Sequence, residues 1–163
     1  MASAVALETV DNKMVGMGQI ALARAPIRLS AVLGSCVGVV LHHARLGLGA
    51  LGHVVLPQAS GRPPCSGKFA DLAIPEMLRQ LELFGAHRVG VVAKIAGGAC
   101  MFGSGGPLNI GQNNVEAVTR ALLAAGIRVV NEDVGGSKGR RVRFDPSSGT
   151  VVVEIVGCPP RTL

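Results

Sequence analysis

Short apolar runs, broken at close intervals by glycine or proline, are the feature of this sequence that most restricts its fold. Hydrophobic residues make up 48% of the 163 residues, and 23 glycines interrupt them. β-Branched and apolar runs favour strands, while glycine permits the turns between them. The richest apolar stretch, 31–41, is far shorter than the roughly 20 residues of a membrane-spanning helix, so no membrane insertion is expected.

Two segments depart from the strand pattern and have apolar residues at helical spacing. We predict helices over 70–84, with Asp71 as N-cap and Gly85 at its end, and over 111–125, ended by Gly126. The positions predicted to face inward are Ile74, Met77, Leu78 and Leu81 in the first helix, and Val115, Val118, Leu122 and Leu123 in the second.

The remaining apolar segments are predicted to be strands, at 14–23, 27–33, 37–41, 49–56, 88–96, 127–134, 141–144 and 150–156. This order of elements predicts an α/β (α+β) fold: a single domain built as a mixed or antiparallel β-sandwich with two helices, and not a doubly wound sheet. The domain is expected over 14–157, between a mobile leader, 1–13, and a tail, 158–163.

Charge and cysteine content narrow the class of protein. Four cysteines without a pairing rhythm, in a chain whose start lacks a signal-peptide pattern, predict reduced thiols and a cytoplasmic location. The net charge of +6 is spread along the chain, except for a cluster at Lys138, Arg140, Arg141 and Arg143. Because no aromatic residues interleave with the basic ones, we expect a solvated or acid-facing surface and no nucleic-acid partner.

Cys36 lies in a small-residue turn, Leu33 to Val37, between two predicted strands. Such a turn could point the backbone N–H groups of Ser35 and Cys36 at an atom that the sulfur attacks, which is what an oxyanion site requires. The turn alone favours the alternative interpretation, a buried structural thiol.

His53 follows Cys36 by seventeen positions. If the two strands pair across a turn at 42–48, Cys36 and His53 return to the same edge, and Gly52 would leave space beside the imidazole. A Cys–His pair at hydrogen-bond distance would lower the pKa of the thiol and make Cys36 the fastest of the cysteines to be alkylated. The alternative is a core histidine. His42 and His43 are interpreted as surface or turn residues.

Other kinds of site fit the sequence less well. Neither the CxxC nor the HExxH spacing of zinc sites occurs, and the glycine-rich loop 97–108 is not followed by the Gly-Lys-Ser/Thr of a phosphate-binding loop. This loop is predicted to flank a substrate or an interface, or to be a flexible connection.

Six motifs, in register, resemble the CheD-type chemoreceptor glutamine deamidases of bacterial and archaeal chemotaxis. The motifs begin at Leu33, Gly52, Lys68, Ala93, Asn109 and Asp133, and run as LGSCV, GHVVLP, KFAD, AKIAGGACMF, NIGQNN and DVGGSKGR. The resemblance extends over 15–156, nearly the whole chain.

The resemblance implies a papain-like catalytic triad on a sandwich similar to the catalytic domains of glutamine-deamidating toxins. The family's nucleophile falls on Cys36 and its histidine on His53. The third member, usually Thr, falls on Ser30, and a backbone carbonyl is the alternative group for orienting the imidazole. Cys100 stands where Ser is common and Asn113 where Arg is common.

The implied reaction is hydrolysis of a protein glutamine side chain to glutamate with release of ammonia, and it needs no metal or organic cofactor. The implied partners are the cytoplasmic helices of chemoreceptors and a CheC-type phosphatase. Two alternatives stay open: a binding module that regulates that phosphatase or scaffolds the receptors, and a cysteine hydrolase for a small amide. Lys138 and Arg143 are the expected docking residues for an acidic receptor helix, whereas Arg140 is expected to hold its own loop.

Overall fold

The computed structural model describes residues 11–62, 65–101 and 109–163. Its helices are α1 (Ala70–Leu83) and α2 (Ile110–Ala124), with short 3-10 turns at Ala44–Leu46 and Arg88–Gly90. Its strands are β1 (Asn12–Met14), β2 (Ile20–Arg24), β3 (Arg28–Leu33), β4 (Val37–His43), β5 (Leu48–Val54), β6 (Val91–Gly97), β7 (Arg128–Val134), β8 (Arg140–Asp145), β9 (Thr150–Glu154) and β10 (Arg161–Thr162). The predicted α+β sandwich with two helices is confirmed.

Three layers make up the molecule. The first sheet has the strand order β1-β3-β8-β9-β10, and the second has the order β2-β5-β4-β6-β7. One core lies between the two sheets, and the other lies between the second sheet and the two helices. The second sheet is therefore covered on both faces, which explains why its central strands read as continuous apolar runs.

The central strand β4 is antiparallel to both β5 and β6. Val37, Val39 and Leu41 belong to the core shared with the helices, whereas Val40 and Cys36 belong to the core shared with the first sheet. Because side chains alternate along a strand, this division fixes which face each neighbouring residue occupies.

Glycine in β5 lets neighbouring elements approach closely. A Cβ on Gly52 would lie 2.7 Å from Met77 Sδ of α1, and one on Gly49 would lie 2.3 Å from Phe144 Cζ of β8. The prediction that Gly52 leaves space beside the His53 imidazole is wrong, because Gly52 faces the helices and His53 faces the first sheet.

Several local predictions are also corrected. The strand predicted at 14–23 is two strands in different sheets, since a turn at 16–19 with Gly18 at φ 76° separates them. Asp71 is not the N-cap of α1: Phe69 occupies that position, and the Asp71 carboxylate accepts the Ala59 N–H. Leu123 is 78% exposed, because α2 turns that position toward solvent.

His42 is buried at the end of β4 and is not a surface or turn residue. Its Nε2 lies 2.8 Å from the Pro146 carbonyl oxygen, and its ring packs edge-on against Phe144. Burial lowers the pKa of His42, which keeps the ring neutral against the first sheet.

Parts of the predicted leader and of the predicted tail form strands. Asn12 and Lys13, predicted as the last leader residues, lie in β1 and pair with β3, while residues 1–10 lie outside the described part. The predicted tail contains β10, whose residues pair with β9, and Leu163 exchanges backbone hydrogen bonds with Val151. Among the described residues, neither helix has the length and hydropathy to cross a membrane.

Candidate active site

The turn that carries Cys36 is anchored by three hydrogen bonds to its carbonyl groups. Gly34 O accepts the Ala99 N–H at 2.9 Å, and Cys36 O accepts the Gly98 N–H at 2.8 Å. Between them, Ser35 O accepts the Asn114 side-chain amide at 3.0 Å. Cys36 itself is 9% exposed and directly precedes β4. The first residues of the predicted glycine-rich loop therefore hold this turn in place; residues 102–108 of that loop lie outside the described part.

Strand pairing brings His53 to the same end and the same face as Cys36. Gly38 is the cross-strand partner of His53, and Cys36 lies two residues before Gly38. Cys36 and His53 are therefore diagonal neighbours on the face toward the first sheet, a relation that typically separates Cα atoms by roughly 7–8 Å. The predicted return of the two strands to one edge is confirmed.

The hydrogen bond that orients His53 comes from a backbone carbonyl. His53 Nδ1 lies 3.0 Å from Val15 O, in the segment between β1 and β2. Because a carbonyl oxygen can only accept, Nδ1 must carry a proton in this contact, and in the neutral ring Nε2 then has the lone pair. Nε2 is buried and has no hydrogen-bond partner among the described residues. A buried, unpartnered imidazole nitrogen on the face that also carries Cys36 is suited to accept the thiol proton.

Ser30 is fully buried on β3, but its hydroxyl does not orient the imidazole. Ser30 Oγ contacts Met14 Sδ at 3.8 Å, a weak acceptor. The backbone carbonyl of Ser30 accepts the Val15 N–H at 2.7 Å. Ser30 thus supports His53 through the main chain, by holding the residue whose carbonyl holds the ring.

Burial opposes ionisation of the Cys36 thiol in the free protein. Burial raises the pKa of Cys36, and the contact with its own backbone N–H lowers it by less. The expected lowering by a thiolate–imidazolium pair is absent from this arrangement, because no hydrogen bond in the described part joins His53 Nε2 to the sulfur.

The pH dependence of the Cys36 alkylation rate tests whether the pKa of this thiol is raised. In a variant with Cys65, Cys100 and Cys158 replaced by Ser, we expect iodoacetamide to react with Cys36 along a titration curve centred above the ordinary value of 9.0. Only the thiolate reacts, and a raised pKa moves the thiolate fraction to higher pH. This reverses the expectation that Cys36 is the fastest cysteine, since Cys65 and Cys158 are exposed. A curve that levels off below pH 8 would show a preformed ion pair.

The four residues of the basic cluster have different surroundings. Arg140 is buried and binds the Asp133 carboxylate at 2.5 Å and the carbonyl of Gly135, so its expected role in holding the loop is confirmed. Arg143 forms an ion pair with Glu154 at 2.6 Å. Lys138 and Arg141 are exposed.

An open groove of about 730 Å³ extends from this cluster toward the turn that carries Cys36. Met101 packs against Gly34, 3.8 Å from where its Cβ would lie, and also lines the groove. Val32 and Val156 contribute exposed apolar surface, while Lys138 and Arg141 supply positive charge. The groove therefore carries apolar side chains, the exposed basic pair Lys138 and Arg141 (the basic rim) and one carboxylate, Glu154. Met101 joins it to the turn that holds Cys36.

Sequence reasoning missed Asn114 and the Val15 carbonyl. Asn114 was detectable in principle, because it is a polar residue on the buried face of α2, one turn before Val118. The Val15 carbonyl has no side-chain pattern that could have indicated it. Asn113, the other notable position in this motif, is exposed. The described residues contain no group of three or more His, Cys, Asp or Glu that could hold a metal ion.

Comparison with known proteins gives consistent similarities. The family model for CheD, chemotactic sensory transduction, matches residues 55–155. The chain is 40% identical to the chemoreceptor glutamine deamidase CheD of Thermotoga maritima, over 90% of this chain and 93% of that protein. It is 41% identical to a probable chemoreceptor glutamine deamidase CheD of Archaeoglobus fulgidus, over 86% and 91%, and 43% identical to one of Moorella thermoacetica, over 91% and 93%.

Proposed function

Since the chain belongs to the CheD family, we propose that it is a chemoreceptor glutamine deamidase, which hydrolyses a glutamine side-chain amide to glutamate and releases ammonia. The assignment of the reaction to Cys36 and His53 rests on the surroundings of the His53 imidazole. Its Nε2 is buried, bears the lone pair and has no partner among the described residues, on the face that also carries Cys36.

Acylation begins when substrate occupies the site. The proton of the Cys36 thiol passes to His53 Nε2, and the sulfur forms a bond to the carboxamide carbon. The carbonyl π electrons move to oxygen, and the N–H groups of Ser35 and Cys36 stabilise the oxyanion.

Loss of ammonia completes acylation, and deacylation then returns the enzyme to its starting state. His53 gives its proton to the leaving nitrogen, the C–N bond breaks, and ammonia departs from a thioester at Cys36. His53 then takes a proton from water, whose oxygen attacks the thioester carbon. The C–S bond breaks, the thiol is reprotonated, and the product is glutamate.

The groove beside Cys36 is the proposed docking site for an acidic receptor helix. Lys138 is a proposed docking residue, because it is exposed and lines the groove. Arg143 is a weaker candidate than expected, since Glu154 already neutralises it, and Arg141 takes its place. Electrostatic attraction at this rim would raise the encounter rate.

Charge reversal on the rim tests the docking site. We expect Lys138→Glu with Arg141→Glu to lower kcat/KM for a receptor fragment by about tenfold at low salt, and to flatten the salt dependence. Arg45→Glu with Arg128→Glu is the matched control, because both residues are exposed at the opposite end of the second sheet from Cys36. Equal salt curves for the two double variants would assign the rim to solvation.

Replacement of Ser30 separates a side-chain role from a main-chain one. We expect Ser30→Ala to change kcat by less than about fivefold, the equivalent of one hydrogen bond of about 1 kcal/mol, and Ser30→Thr to preserve turnover. The reason is that the Ser30 hydroxyl contacts Met14 and its carbonyl holds Val15. A loss as large as that of His53→Ala would mean that the hydroxyl acts on the ring directly.

The resemblance also extends the proposal to a cytoplasmic location and to a CheC-type phosphatase as a partner. Co-purification of the two proteins from cells tests that partnership independently of catalysis. The proposed reaction itself is tested by ammonia release from a receptor fragment against release from free glutamine. Release from free glutamine alone would instead indicate a hydrolase for a small amide.

A further inference from the structure

Asn114 connects the turn that carries the proposed nucleophile to the residue that follows β5, the strand of the proposed base. It is fully buried on α2, and its Nδ2 donates to Ser35 O at 3.0 Å and to Val55 O at 2.9 Å. Ser35 precedes Cys36, and Val55 lies two residues beyond His53. We infer that Asn114 is a positioning residue that aims the oxyanion donor and sets the spacing of Cys36 and His53; this inference rests on the proposed deamidase function.

The orientation of one peptide plane gives the physical reason. In a trans peptide the C=O and the following N–H point in opposite directions. Asn114 draws the Ser35 carbonyl toward α2, so the Cys36 N–H must point away from α2. The Cys36 side chain faces the first sheet, on the side away from the helices. Asn114 therefore directs this N–H to the side on which the sulfur attacks.

The chemistry of asparagine suits this role. Both of its partners are carbonyl oxygens, so the amide nitrogen must face them, and both of its hydrogens are used. Its Oδ1 is buried without a hydrogen-bond partner among the described residues. A buried acceptor without a partner is unfavourable, and it is tolerated here because a single short side chain must donate twice.

The neighbouring carbonyl is anchored in the same way by a different element. Gly34 O accepts the Ala99 N–H, which turns the Ser35 N–H away from β6 and the loop that follows it. Two anchors on consecutive peptides thus fix the two N–H groups assigned to the oxyanion. Asn114 is the only one of these anchors that uses a side chain, so it can be removed by substitution.

The test separates oxyanion alignment from general loss of structure. We expect Asn114→Ala to lower kcat for a receptor fragment by about 10²–10³-fold, the usual effect of losing an oxyanion donor, with little change in KM. The alkylation rate of Cys36 should stay close to that of the wild type, because reaction with iodoacetamide needs a thiolate and no oxyanion donor. Asn114→Leu, which fills the volume without donating, should behave like Asn114→Ala.

Val118→Ala is the matched control, because Val118 is fully buried one turn along α2 and belongs to the apolar core. It should lower the unfolding temperature and preserve kcat. The inference is overturned if the Asn114 variants retain kcat as Val118→Ala does, or if alkylation falls in parallel with kcat. A wild-type protein that releases no ammonia would instead overturn the proposed function. If Asn114→Ala does not fold, the kcat and the alkylation rate of Asn114→Leu are compared with those of Val118→Ala instead.

Discussion

Replacing Cys36 by alanine is expected to abolish ammonia release from a receptor fragment, lowering kcat by at least about 10⁴-fold. The sulfur forms the only covalent bond to substrate in the proposed reaction, and loss of a nucleophile removes most of the catalytic power of such sites. The fold should persist, because alanine fits where a small, mostly buried thiol was and the turn is held through its carbonyl groups. A coupled ammonia assay on purified variants gives the rate, and circular dichroism verifies folding.

Cys65→Ala and Cys158→Ala are the controls for this loss. Both cysteines are exposed, so their removal should leave kcat and stability close to those of the wild type. Activity retained by pure Cys36→Ala protein would remove Cys36 from the mechanism and leave it as a core thiol.

Replacing His53 by alanine is expected to lower kcat by about 10²–10⁴-fold, the contribution usual for a general acid–base residue. In the proposed mechanism His53 accepts the thiol proton, protonates the leaving ammonia and then activates water, so both halves of the reaction would lose their proton carrier. The effect should be smaller than that of Cys36→Ala, since water can carry protons slowly but cannot replace the sulfur.

His42→Gln is the matched control for His53. His42 is also a buried histidine of the second sheet, but it lies at the far end of β4 and contacts Pro146. Glutamine can still donate to the Pro146 carbonyl, so we expect near-normal kcat. If the two histidine variants lost similar activity, the effect would come from core packing and not from proton transfer.

The elements that local sequence patterns determine were predicted well. The two helices follow from apolar spacing, and their ends follow from Gly85 and Gly126, which adopt φ values of 86° and 73°. The pairing of β4 with β5 follows from two apolar runs joined by a short turn. That pairing alone places Cys36 and His53 on one face.

The contacts that depend on distant elements could not be predicted in this way. The Val15 carbonyl reaches His53 only because the chain passes from one sheet to the other between β1 and β2. The sequence pattern places His42 in a turn, because its burial depends on contact with the distant turn before β9. The role of Gly52 depends on which face of β5 the helix α1 covers. Each of these is a property of packing between layers, which no short stretch of sequence encodes.

The most direct test of the central claim is to map the modified residues on the substrate. Purified protein is incubated with the cytoplasmic fragments of chemoreceptors from its own genome, and peptides are sequenced by mass spectrometry. We predict that the wild type converts particular glutamines to glutamate, and that Cys36→Ala and His53→Ala leave the same glutamines unmodified. The proposed cysteine deamidase would be contradicted if folded wild-type protein left the receptor glutamines unchanged. Equal conversion by the Cys36→Ala variant would contradict it as well.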